Sequence, residues 1–357
     1  MDYNFGPAHP LLPERLQRLS TILTALRVFD PIDPGPGNVE DVLRVHAEDY
    51  VDAIRKYSEI PRKEYMDEQF EEAYSFGFGT LDVPAFPAMY TASLAYCAGT
   101  AAAARCVASG EALAYSIGGG LHHALRSKAA GFCIFNDCAI ACDILLEKYD
   151  RVAYVDIDVH HGDGVQWMYY DDPRVLTCSI HEDPRSLWPG TGAVDESGAD
   201  FTSLNVPILD RTTGDVWLET FRNTIIPALE LFNPGAIVLQ MGADSHYLDP
   251  LAHLRNDAAN WLGAVESVRD LNIPIVALGG GGYDITTVPR MWAAACLALN
   301  RQEVPRYVPE PMASKWKTPT FLDENMTEQA NVGRSYARLV TEYIGDHHLK
   351  HLNRSAG

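Results

Sequence analysis

The stretch Tyr154 to Gly164, YVDIDVHHGDG, sets five ionisable side chains directly behind an apolar run. Val152 to Val155 reads as a buried strand, and it gives way to Asp156, Asp158, His160, His161 and Asp163. Side chains alternate faces along an extended chain, so Asp156, Asp158 and His160 project one way and His161 is turned away from them. Two carboxylates and an imidazole crowded at the end of a buried strand stay charged only if a cation neutralises them, which a divalent metal does. The same residues also suit a solvated strand-to-helix turn, with Gly162 and Gly164 supplying the bend. Taken alone, the stretch leaves both readings open.

The elements that would position these residues alternate between helix and strand from about residue 91. Strands are predicted at Leu113 to Ile117, Val152 to Val155, Val175 to Ser179, Ala236 to Met241 and Ile273 to Leu278, with helices such as Asn136 to Lys148 and Asp215 to Leu231 between them. Such alternation implies right-handed crossovers and a largely parallel sheet flanked by helices. The ligand crevice of such a sheet lies beyond the carboxyl ends of its strands. There GGGLHHA presents His122 and His123, GAD presents Asp244, and GGGGYD presents Tyr283. Singly, a His-His pair is more often structural, and Asp after a strand commonly caps a helix. Four strand ends that aim such groups into one crevice favour the metal site. The glycine runs at 118 to 120 and 279 to 282 fit neither G-x-G-x-x-G nor a run ending in G-K-[ST], and read instead as allowing close backbone approach. One His and two Asp leave an open position on a zinc-like ion, where water is acidified toward ~7 and a carbonyl polarised. A neighbouring imidazole could carry the proton to a leaving amine while a phenol bonds the oxyanion. Together these parts hydrolyse amides.

The 357 residues suit one large α/β domain or two smaller ones, and an apolar content of 47% supports an ample core. A net charge of -20 argues against nucleic acid or an anionic membrane as partner and favours basic macromolecules. Seven scattered cysteines without a C-x-x-C pair point to reduced thiols and, with no secretory signal at MDYNFGPAHP, to the cytoplasm. Leu94 to Ala104 is too short to span a bilayer and reads as a buried Ala-rich helix. Helices are expected over Glu14 to Arg27, Val39 to about Tyr57, and near Glu328 to Tyr343. Between Ser58 and Tyr90 periodicity is lost, and Phe76, Phe78 and Phe86 suggest a rim or lid.

The ordered motifs GGGLHHA (118 to 124), GFCIFND (131 to 137), YVDIDVHHGDG (154 to 164), PGTG (189 to 192), LQMGAD (239 to 244) and GGGGYD (279 to 284) closely resemble those of the zinc-dependent histone deacetylase family, in particular its bacterial acetoin-utilisation members. The resemblance runs from about Phe5 to residue 300. It implies the arginase/deacetylase fold: a single α/β domain with a central eight-stranded, largely parallel sheet, catalytic over 1-300, with 301-357 an extension packed on the same domain. It further implies Asp158, His160 and Asp244 as ligands of Zn2+, with Fe2+ as an alternative, and His123 as general base and acid with His122 as electrostatic partner. Asp156 and Asp163 would orient the two histidines, and Tyr283 would polarise the carbonyl. Gly131, Phe132, Trp188, Leu251 and Gly281 would contact substrate. Asp156, Asp158, His160, Ser179 and Ile180 would hold a structural K+ or Na+, and Arg15 would line an internal cavity through which acetate leaves.

Departures from the family pattern carry further expectations. Trp188 replaces a usual Phe and should narrow the tunnel toward short acyl groups. Set against the family pattern, LDVPAFPAM places Pro87 where eukaryotic relatives have a substrate-gripping Asp, and Leu251 stands where polyamine deacetylases are acidic. Asp284 stands where Asn often follows the tyrosine. Met1 falls where relatives already have a first strand, so that edge strand is absent or lies upstream of this start. The expected activity is hydrolysis of acetyl-lysine on proteins, such as an acetyl-CoA synthetase. The alternatives are an acetylpolyamine deacetylase, a non-catalytic acyl-lysine binding protein and an arginase-like binuclear manganese hydrolase.

Overall fold

The computed structural model describes residues 3-28, 31-60, 66-323 and 333-355. Among the described residues five α-helices lead: α1 (Glu14–Leu26), α2 (Val39–Leu43), α3 (Glu48–Ser58), α4 (Asp67–Ser75) and α5 (Met89–Ala108). The alternating part follows as β1 (Leu113–Ser116), α6 (Asp137–Leu146), β2 (Val152–Asp156), α7 (Asp163–Tyr169), β3 (Val175–Glu182), β4 (Ser203–Ile208), α8 (Gly214–Phe232), β5 (Ala236–Gln240), α9 (Ala258–Arg269), β6 (Ile275–Leu278) and α10 (Val288–Leu299). The short α11 (Met312–Trp316) and then α12 (Arg334–Ile344) close the set needed here.

The sheet is parallel throughout, in the order β1-β6-β5-β2-β3-β4. It has six strands among the described residues, where the resemblance predicts eight. The described residues before Leu113 fold as helices and loops: Leu16, Leu19, Leu23 and Leu26 recur at helical spacing, and the prolines at 7, 10, 13, 31, 34 and 36 cannot donate to a ladder. β4 went unpredicted because SLNVPI mixes polar residues and Pro207 into a run too short for a clear period. It lies at the sheet edge, where a proline is tolerated.

Two cores flank the sheet, and β2 shows why. Ala153 and Val155 point into the core formed with α8, α9 and α10, while Val152 and Tyr154 point into that of α3, α5 and α6. The register sets Asp156 opposite both Ser179 of β3 and Gln240 of β5, so the strands end level and their following loops share one rim. Beyond residue 300, Val340 and Ile344 of α12 join the first core.

Three expectations need correction. The helix predicted from Val39 to Tyr57 is two helices, broken after Leu43 where the His46 ring turns inward to accept the Asn136 N–H. The long stretch before Tyr90 contains α4. Phe76, Phe78 and Phe86 are no lid: Phe78 is fully buried in the second core, and the other two pack against it. Residues 328-332 of the last predicted helix lie outside the described residues. All seven cysteines are free, and no helix among the described residues is long and apolar enough to cross a membrane.

Candidate active site

His122 and His123 follow β1 on a loop held from two sides. Asn136 caps α6 by accepting the Ala139 N–H, and its amide donates to the carbonyls of His122 and Ala124 at 2.9 Å. The buried Asp137 carboxylate accepts the N–H groups of Gly120 and Leu121. The two imidazoles then sit 3.9 Å apart. His122 donates from Nδ1 to Asp156 Oδ2 at 2.7 Å, and His123 from Nδ1 to Asp163 Oδ1 at 2.6 Å. Each dyad holds one proton-bearing nitrogen against one carboxylate. Burial pushes the His123 ring well below its ordinary value, aided by the neighbouring His122 and His160, so it rests neutral. Burial works on His122 in the same direction, but the Asp156 and Asp158 charges prevail and raise it to about 9. Burial raises Asp163 to about 7.

Beside the dyads, Asp158, His160 and Asp244 offer ligand atoms that all lie within 4.8 Å of one another, each residue buried. His160 Nδ1 is 3.1 Å from Asp158 Oδ1 and 3.0 Å from Asp244 Oδ2. Asp158 Oδ2 accepts from Gln240 Nε2 and from Gly281 N–H, both at 2.8 Å, and Asp244 Oδ1 accepts the Val159 N–H. Gly281 is required here, since a Cβ would fall 2.1 Å from Asp244 Oδ2 and 2.8 Å from Asp158 Oδ2. Burial and the Asp158 charge push Asp244 up to about 8. His160 is held well above its usual value against burial by the two carboxylates. An overlapping trio of His122, Asp156 and Asp158 is equally compact. Its His122 Nδ1 and both Asp156 oxygens are already engaged, Oδ2 by His122 and the Tyr154 hydroxyl and Oδ1 by the Asp158 N–H.

A cavity of about 280 Å³, mouth included, is lined by His122, His123, Asp158, Gly131, Phe132 and Tyr283, and also by Leu11 and Arg15. Arg15 donates to the carbonyls of Gly280 and Gly282 and lies 5.1 Å from the Trp292 ring centre. Phe132 meets Tyr283 edge on, with centroids 5.7 Å apart. Trp188 leans on His123 at 4.6 Å and on His160 at 6.3 Å. Gly131, at φ +53, packs so closely that a Cβ would fall 2.3 Å from the His123 ring and 2.6 Å from Trp188. Leu251 is half-buried, its N–H donated to Asp249. Ser179 pairs with Asp156 across β2 and β3, with Ile180 next in the strand, and its Oγ bonds His181 Nδ1. His161 faces away as alternation predicts, bonded to Thr191 and Gln166.

Sequence reading missed several residues that shape this cavity. The carboxylate near its mouth is Asp82, which accepts the Gly131 N–H at 2.8 Å, while Pro87 is exposed. No periodicity runs through that loop, so nothing in the sequence pattern singles out its carboxylate. Asp249, raised by burial to about 7, accepts the Tyr283 N–H. Gln240, inside the quoted LQMGAD motif, reads in sequence as a mere strand end. Only the cap signature Asn136-Asp137 before an apolar run was available as a signal.

A family model of the histone deacetylase domain matches residues 9–299. The acetoin utilization protein AcuC of Bacillus subtilis (strain 168) is 37% identical over 352 residues, covering 92% of this chain and 88% of that protein. Histone deacetylase 19 of Arabidopsis thaliana is 34% identical over 360 residues, covering 99% of this chain and 70% of that one. The crystal structure of an HDAC homolog complexed with SAHA superposes with a TM-score of 0.87 at 26% identity, covering 96% of each chain. With this fold and this cavity, the chain belongs to the histone deacetylase family as a deacetylase similar to the bacterial acetoin utilization proteins.

Proposed function

We propose that the chain is a zinc-dependent lysine deacetylase that hydrolyses acetyl-lysine amides on proteins. One observation carries the reading: Asp158, both dyad histidines and the Tyr283 phenol line one cavity, with His160 and Asp244 gathered behind Asp158 and Asp156 and Asp163 behind the histidines. The donor set fits a zinc-like ion, for two buried carboxylates face a single imidazole nitrogen and the Gly281 backbone leaves them room. Ferrous iron would accept the same donors. When bound there, the ion supplies Lewis acidity toward water and toward a carbonyl oxygen.

The chain's own groups account for the rest. His123 Nδ1–H is committed to Asp163, so its other nitrogen is free to take a proton from an attacking water and return it to the leaving amine. The neutral resting state of His123 suits the first of those acts. Tyr283 is held well above the ordinary phenol range by burial and by Asp244 and Asp158, so it keeps its proton and can donate it in a hydrogen bond to the carbonyl oxygen. His122, paired to Asp156, adds positive potential beside the developing charge. The Asp82 carboxylate near the mouth supplies an acceptor for a peptide N–H, which favours a protein substrate, a metabolic enzyme such as acetyl-CoA synthetase among the candidates.

Tyr283→Phe tests the assignment. Turnover of an acetyl-lysine peptide should fall about a hundredfold to a thousandfold, while Zn2+ content and hydroxamate affinity hold. Undiminished turnover would refute the role given to the phenol. Faster turnover of acetylputrescine than of acetyl-lysine peptides by the parent enzyme would refute the protein substrate.

A further inference from the structure

The family model ends at residue 299, yet a carboxylate from beyond that end reaches the surroundings of the site. Residues 305-323 fold back toward the start of α10. Val308 N–H donates to the Pro319 carbonyl at 2.9 Å, Tyr307 and Thr320 form an antiparallel bridge, and Phe321 is fully buried. Arg290 fastens this turn, donating to the Phe321 carbonyl at 2.7 Å and to Asp323 Oδ1 at 2.6 Å. The other oxygen, Asp323 Oδ2, accepts the Ala258 N–H at 2.9 Å and lies 3.1 Å from His246 Nε2.

His246 is buried two residues after Asp244. Its Nδ1 accepts the Leu248 N–H at 3.2 Å, so the ring proton sits on Nε2 and is donated to Asp323. The His246 carbonyl accepts the Asp249 N–H at 2.8 Å, and Asp249 in turn accepts the N–H of Tyr283. Arg290 Nη2 stands 3.3 Å from His246 Nε2. Both are donors, so neither serves the other, and Asp323 satisfies both. Without it, two buried donors would face each other without an acceptor and the segment would shift.

We propose that Asp323 is a positioning residue for the active site. It holds His246 in one tautomer and orientation, and thereby sets the 244-251 segment that presents Asp244 to the metal and Asp249 to Tyr283. The proposal rests on the metal-site reading above. A carboxylate that orients a histidine is the device by which outer residues tune metal ligands, acting here one residue removed.

The test uses the full chain with Asp323→Ala, His246→Ala and the double variant, at a temperature where circular dichroism shows each folded. Zn2+ dissociation constants come from competition with a chromogenic chelator, and the Co2+-substituted proteins are compared by visible absorption. Asp323→Ala should weaken Zn2+ binding about tenfold, alter the Co2+ bands and lower kcat more than it raises KM. The double variant should lose no more Zn2+ affinity than the worse single. Unchanged Zn2+ affinity and Co2+ bands, with only a lower melting temperature, would overturn the proposal. Asp323→Asn, which keeps the volume, is read on the same two outcomes if the alanine variant does not fold. Weakened Zn2+ binding by Asp323→Ala in an enzyme inactive on every acetyl-lysine peptide would remove the substrate reading and uphold this one.

Discussion

Two groups of buried carboxylates and imidazoles lie side by side beneath Trp188, and they are satisfied in opposite ways. In the dyads, each imidazole has its own carboxylate, at 2.7 Å in one and 2.6 Å in the other, so the folded chain completes them unaided. In the Asp158, His160 and Asp244 cluster, two carboxylates converge on a single nitrogen. Burying that charge without a cation is costly. The difference separates what the fold stabilises from what it leaves open for a ligand.

Removing the metal should therefore have the largest effect. Prolonged dialysis against a chelator should cut turnover by at least about ten-thousandfold, since several kcal/mol of charge stabilisation leave with the ion. It should also lower the melting temperature, because a ligand that binds only the folded state stabilises it by mass action. Added Zn2+ should restore both. A stripped protein with full activity and an unmoved melting temperature would break the distinction at its root.

Asp163→Asn attacks a dyad instead. An amide can present its N–H to His123 Nδ1 and force the proton onto the other nitrogen, which removes the base. Turnover should fall about a hundredfold to a thousandfold, with the pH-rate profile altered and Zn2+ affinity held within about twofold. A parallel loss of Zn2+ affinity would show that the two groups are a single unit.

A third kind of buried histidine extends the comparison, for His46 and His181 have only neutral partners. His46 Nε2 accepts the Asn136 N–H, and His181 lies between the Ser179 hydroxyl and the Gly192 carbonyl. Burial lowers each to about 4. The unfolded chain, with His near 6.5, binds these protons first. Their contribution is thus complete above about 6.5, declines as pH falls through 6.5 to 4, and levels off below. Each should cost roughly 2–3 kcal/mol across that window. Urea unfolding at pH 7 and pH 4.5, compared between the parent and His46→Gln, isolates the effect. An equal acid loss in both would show that His46 is not the group titrating.

How much of this was legible in sequence follows from where each part sits along the chain. His122, His123, Asp158, His160, Asp244 and Tyr283 each end a strand within a short motif, so local alternation and the parallel-sheet rule place them. Gln240, Asp249, Asp82 and Asp323 act across sequence separations that no local period reports. Asp82 meets Gly131 from an irregular loop, and Asp323 meets His246 from 77 residues away. The Phe76, Phe78 and Phe86 cluster misled for the same reason: aromatics in an aperiodic stretch look like a rim until the packing of α3 and α5 claims them. The β4 strand was hidden by Pro207 at an edge where no inward donor was needed.

Trp188 is the side chain that covers both groups, leaning on His123 of a dyad and on His160 of the open cluster while remaining 47% exposed at the mouth. Its contacts are through ring faces and edges and involve no proton or ligand atom, so the width-setting part that the resemblance implies for it can be tested apart from both groups. Trp188→Phe should widen the tunnel by part of a ring. The ratio of kcat/KM for a butyryl-lysine peptide to that for the acetyl peptide should rise about three- to tenfold, near the low end of what one or two methylenes are worth in an apolar pocket. Zn2+ affinity and the pH-rate profile should hold, because neither group loses a polar partner. An unchanged acyl ratio would move the width-setting wall elsewhere, to Phe132, whose ring meets Tyr283 from the opposite flank. A changed pH profile would mean that the indole also shields His123 from solvent, making tunnel width and proton transfer properties of one residue.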